Sequence, residues 1–145
     1  MVMLRTMTAR VLPLMLVILT LCLGTVQAEA IDIVDNHGGR VDLYDQRWAG
    51  LAAGKPQVRV TGPCKSACTV LLKHVPRGKI CVTPEASFGF HQALRPEMTK
   101  LLWNGYPADI RAWITSRGGL PPLRPRTTMV WMRAPETFRF FKKCA

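Results

Sequence analysis

Ser66 and His91 are the two side chains of this 145-residue chain whose types and spacing fit nucleophilic chemistry. Ser66 lies in CKSACT, directly after QVRVT (57–61), whose apolar and polar residues alternate as in a strand, and the breaker Gly62-Pro63. From Ser66 onward the residues suit a helix, with Ala67, Val70 and Leu71 on one side. The serine therefore stands at a strand-to-helix turn, where free backbone N–H groups and the helix dipole converge. A nucleophile placed there finds donors ready for an oxyanion. A second strand-like run, KICVT, ends at Pro84, and FGFH delivers His91 twenty-five residues after the serine. A histidine in that position can take the serine proton and return it to a leaving group. The bland alternative for Ser66 is an ordinary helix N-cap, and for His91 a satisfied structural histidine.

Several further features accompany the pair. Gly38-Gly39 closes the opening strand Ile31-Asp-Ile-Val-Asp with a turn that exposes backbone N–H groups. Arg40–Ala53 reads as a helix with Val41, Leu43, Tyr44, Trp48 and Leu51 on its apolar side, stopped by Gly54-Lys-Pro56. Beyond His91-Gln92, Met98–Trp103 suggests a short helix. Ala108–Arg117 suggests another, carrying Ile110, Trp113 and Ile114 and ending at Gly118-Gly119. Pro121–Pro125 reads as extended, Thr127–Met132 as a last strand, and Ala134-Pro-Glu136 as the start of a final helix.

A Gly-Gly turn, a strand, a small-residue turn bearing serine, and a His-Gln pair twenty-five residues on resemble the Clp-type serine peptidases of the ClpP/crotonase superfamily. The likeness covers roughly residues 31–93. It implies an α/β domain of layered β-α-β units, here shortened at the N-terminal side. It implies a catalytic Ser66 and His91, with the backbone N–H groups of Gly39 and Ala67 as the oxyanion hole. His37 stands where the pattern usually has proline, and no role is assigned to it. Counting back from Ala134-Pro-Glu136, the position of the family's third catalytic residue, an aspartate, falls on Met129, which cannot orient an imidazole. Asp109 and Glu136 are the nearest substitutes in sequence. Otherwise a backbone carbonyl or Thr128 must hold the ring.

The chain begins with a secretory pattern. Arg5 and Arg10 precede an apolar core, Val11–Gly24, too short to span a bilayer, and Ala28-Glu29-Ala30 forms an A-x-A cleavage site. Residues 1–30 read as a signal peptide, with cleavage after Ala28 also compatible, and 31–145 as a single domain of 115 residues. The expectation is export to the periplasm or beyond. Four cysteines remain, Cys64, Cys68, Cys81 and Cys144, and an even count in an exported chain reads as disulfides. A bridge between Cys64 and Cys68 would cross the turn carrying Ser66, so a distant partner for each, Cys81 or Cys144, is the expectation. Their spacing fits no common zinc pattern, and neither metal nor cofactor is expected.

The full chain carries a formal net charge of +11. That excess favours anionic envelope surfaces as neighbours, while no nucleic-acid-binding signature accompanies it. The shortened N-terminal side leaves a sheet edge open, and with Trp103, Trp113 and Trp131 available for burial a homo-oligomer is expected. Two functions stay open: an exported serine hydrolase acting on a peptide or acyl substrate, and a non-catalytic envelope binding or scaffold protein that keeps the fold.

Overall fold

A computed structural model describes residues 30–123 and 128–145 of the chain. The expected signal peptide therefore lies outside the described residues, except for Ala30, which opens the first strand. So do Arg124–Thr127, which carry the end of the expected extended stretch and the start of the last strand. No helix among the described residues is long and apolar enough to cross a membrane.

The chain runs β1 (Ala30–Ile33), α1 (Val41–Ala52), β2 (Gln57–Val60) and β3 (Pro63–Lys65). Ser66–Val70 then winds as a 3-10 helix that continues into α2 (Leu71–His74). Next come β4 (Ile80–Val82), β5 (Ser87–Phe90), α3 (Pro96–Gly105), α4 (Ala108–Ser116), β6 (Val130–Arg133), α5 (Thr137–Phe140) and β7 (Lys142–Lys143). One sheet has the order β1-β2-β4-β7, with every neighbouring pair parallel. The second has the order β3-β5-β6, parallel between β3 and β5 and antiparallel between β5 and β6. This is the α/β architecture of β-α-β units, held by disulfides, that the sequence leads one to expect.

The core follows the sequence patterns. Alternation buries Val58 and Val60 on β2, and Ile80 and Val82 beside them on β4. Phe88 and Phe90 of β5 pack with Met132, Leu102, Ile110 and Ile114, and each such side chain contributes on the order of 1.5–3 kcal/mol by leaving water. Helix α1 turns Val41 and Trp48 inward, seven residues apart and so on one side. Leu43, expected on that side, is 51% exposed instead, because it falls between the inward positions. Trp113 departs from expectation in the opposite sense. It is buried, its ring 6.2 Å from that of Phe90, and its indole N–H donates to Glu136, so it is not available to an oligomer contact.

The cysteine pairing corrects the sequence expectation. Cys64 bonds to Cys68, and Cys81 to Cys144. The short bridge is reachable because Ser66, between its two cysteines, takes φ +54° and folds the chain back, bringing the Cα atoms to 5.3 Å. The second bridge fastens the C-terminal tail, where β7 already pairs with β4.

Candidate functional site

Placement of Ser66 and His91 is a matter of strand register. β3 ends at Lys65, which lies opposite Gly89 of β5 in a parallel pair. Ser66 follows Lys65 directly, and His91 comes two residues after Gly89. Both therefore leave the carboxyl ends of neighbouring parallel strands, about 5 Å apart, the edge where α/β sheets commonly bind ligands. The strand of Cys81 and Val82 belongs to the other sheet, and it is β5, not β4, that delivers His91.

Ser66, His91 and Gly39 line one cleft of about 780 Å³. Val41, Ala93, Leu94, Met98, Leu123 and Met129 supply its apolar walls, and His37, Arg40, Asp42 and Arg95 its polar rim. Ser66 is half-buried and His91 buried. The Ser66 hydroxyl caps no helix N–H and makes no hydrogen bond to a described residue. Its positive φ is a conformation that serine adopts only where surrounding structure enforces it.

Three contacts enforce it. Gly38 has φ +79° and lies so close that a Cβ there would sit 2.5 Å from the Lys65 carbonyl oxygen and 2.9 Å from the Ala67 nitrogen. Asn36 accepts from the Gly38 N–H at 2.9 Å and from the Tyr44 hydroxyl at 2.7 Å, holding the Gly-Gly turn against the serine turn. The Asn36 backbone exchanges bonds with β3, its N–H donating to Pro63 and its carbonyl accepting from Lys65. With the Gly38 N–H occupied by Asn36, Gly39 carries the N–H without an acceptor among the described residues.

The ring of His91 has a defined tautomer. Its Nδ1 lies 2.6 Å from the Gln92 backbone carbonyl, which can only accept. Nδ1 therefore carries the proton, and Nε2 keeps a lone pair in the neutral ring. His37, the other histidine of the cleft, is arranged differently. The Lys65 ammonium donates to its Nδ1 at 2.8 Å, so its Nε2–H faces Asp35 at 3.1 Å. Both of its nitrogens are occupied, and none is left to take a serine proton.

The two carboxylates considered as third residues are engaged elsewhere. Asp109 pairs with Arg77 through two 2.6 Å bonds, which hold its carboxyl below the usual carboxylate range. Glu136 accepts from Trp113 and pairs with Arg117. Neither lines the cleft. Met129 does, so a thioether occupies the cleft wall where the family pattern calls for the acid. Sequence reasoning missed Asn36 and Tyr44, although Asn two residues before a glycine is a signal for a side chain that bonds the following turn.

No family model matches the chain, and no curated protein is similar to it. Among solved structures, a point mutant of ClpP1 from Listeria monocytogenes is similar at 17% identity, with a TM-score of 0.49, over 83% of this chain and 74% of that one.

Proposed function

We propose that the protein is an exported serine hydrolase of Clp-peptidase type, acting on a peptide or acyl substrate. The observation that carries this reading is the Ser66–His91 arrangement: a serine held at φ +54°, in one cleft with a histidine whose free lone pair is at Nε2. Ser66 Oγ attacks the acyl carbon while His91 Nε2 takes its proton. The N–H groups of Gly39 and Ala67 stabilise the oxyanion. His91 then protonates the leaving group, and water releases the acyl group by the reverse proton path. The Gln92 carbonyl fixes the tautomer that an aspartate would otherwise fix. It lacks the negative charge that stabilises the imidazolium, so the reaction is expected to be slow relative to a full triad.

The test is a fluorophosphonate probe on the folded, oxidised protein, with mass spectrometry of the labelled peptide. Labelling of Ser66 that disappears in His91→Ala supports the reading. Absence of labelling in the wild type shifts the assignment to a non-catalytic scaffold of the same fold. We also infer self-association. Among the described residues β1 pairs with β2 on one side only, and no described strand covers its other edge. A monomeric mass by light scattering at tens of micromolar would contradict it.

A further inference from the structure

Behind the Ser66 turn, and outside the cleft lining, lies a buried polar pair that the proposed chemistry does not use. Thr69 and Tyr106 are buried, and their hydroxyls are 2.7 Å apart. Thr69 Oγ1 is also 2.6 Å from the backbone carbonyl of Ser66. A carbonyl only accepts, so the Thr69 proton goes to Ser66, and the Tyr106 hydroxyl must donate to Thr69. Burial pushes the Tyr106 phenol up, and its bond to Thr69 opposes this only in part, so it remains a donor at any physiological pH. The same tyrosine reaches the other half of the site. Its ring meets Phe90 edge-on, with centroids 5.3 Å apart, and Phe90 is the residue before His91.

We propose that Tyr106, acting through Thr69, is a positioning residue that holds the Ser66 turn and the His91 strand in one frame. This rests on the hydrolase reading for its catalytic consequence but not for its structural one. The hydroxyl relay secures the carbonyl of a serine in a sparsely populated backbone conformation, and the ring secures the strand end that bears the base. Without the relay the Ser66 backbone is freer to leave φ +54°, which moves Oγ from its place in the cleft it shares with His91.

The experiment compares Tyr106→Phe, Thr69→Val and Thr69→Ser with the wild type. It measures fluorophosphonate labelling rate well below each melting temperature, and amide hydrogen exchange of the 62–70 peptide. Tyr106→Phe keeps the ring, and Thr69→Val keeps the shape. Both should slow labelling by about tenfold or more and speed exchange in 62–70, whereas Thr69→Ser should restore both to within about threefold. Rescue by serine separates a hydroxyl relay from loss of packing. Wild-type rates and exchange in Tyr106→Phe and Thr69→Val, or failure of Thr69→Ser to rescue, overturn the proposal. If the wild type itself is not labelled, the hydrolase reading fails. The exchange comparison then decides the positioning role alone.

Discussion

Gly38 and Gly39 are neighbours in sequence, yet the structure predicts opposite responses to alanine. At Gly38 the backbone has φ +79°, where an L side chain costs on the order of 1 kcal/mol. A Cβ would also meet the Lys65 carbonyl oxygen at 2.5 Å, the Ala67 nitrogen at 2.9 Å and Ser66 Cβ at 2.9 Å. Two of those atoms are backbone within the serine turn, which the Cys64–Cys68 bridge and the β3–β5 pairing hold in place, so they cannot yield cheaply. Overpacking of that kind typically costs about 1–3 kcal/mol, which makes the total about 2–4 kcal/mol. For a domain of this size the melting temperature should fall by roughly 8–16 °C. At Gly39 the nearest atom to a Cβ is Tyr44 Cε2 at 3.5 Å, an ordinary contact, and φ is not positive. Gly39→Ala keeps the N–H and should change stability by no more than about 0.5 kcal/mol. Thermal unfolding by circular dichroism of the two variants, with probe labelling of Ser66, gives both readouts. Gly38→Ala should lose stability and labelling together, and Gly39→Ala should keep its stability. Equal effects at the two positions, or a neutral Gly38→Ala, would refute the close approach of the Gly-Gly turn to Ser66.

Three other perturbations have defined outcomes. Ser66→Gly should be more stable than Ser66→Ala by about 1 kcal/mol in urea unfolding, because glycine accepts the positive φ, while neither variant is labelled; an equal or reversed order would mean that φ +54° is not strained. Loop closure favours the bridges unequally, with separations of 4 and 63 residues: losing Cys64–Cys68 should cost about 2 kcal/mol and losing Cys81–Cys144 about 4 kcal/mol. The double alanine variants should rank that way in melting temperature, with labelling lost mainly in the short-bridge variant, and the reverse pattern would contradict the pairing seen here. Acid should destabilise the fold. Hydrogen bonds from Arg59, Arg40 and Arg77 hold Asp32, Asp42 and Asp109 below the usual range, and Asp45, which burial pushes up, ends below it through bonds from Lys73 and His74. Groups depressed on folding contribute stability above the unfolded value and lose it as pH falls through the folded one. The urea midpoint should therefore drop below about pH 4, and a midpoint that holds or rises there would contradict these pairings.

The local signals in this chain are strong where period and punctuation agree. Alternation in QVRVT, the Gly62-Pro63 break, and the inward spacing of Ile110, Trp113 and Ile114 each appear in the structure as read, since one buried side dictates the period. Ser66 and His91 stood out by type and spacing, one after the Gly62-Pro63 break and the other after the apolar run FGF. What one dimension could not supply is which strands become neighbours. β4 lies between β3 and β5 in sequence but pairs with β2 and β7, so the partner of Ser66's strand emerged only from the two-sheet arrangement. The short disulfide was likewise illegible, because it depends on a left-handed serine, and nothing in the type of residue 66 announces φ +54°. That backbone angle is held by Gly38 and Asn36 and, on the proposal above, by Tyr106 acting through Thr69. These residues are up to forty positions away in sequence and within hydrogen-bond or van der Waals reach of the turn or of one another in space. Sequence determines what a residue prefers; here the tertiary contacts override that preference, because together they outweigh the cost of one strained residue.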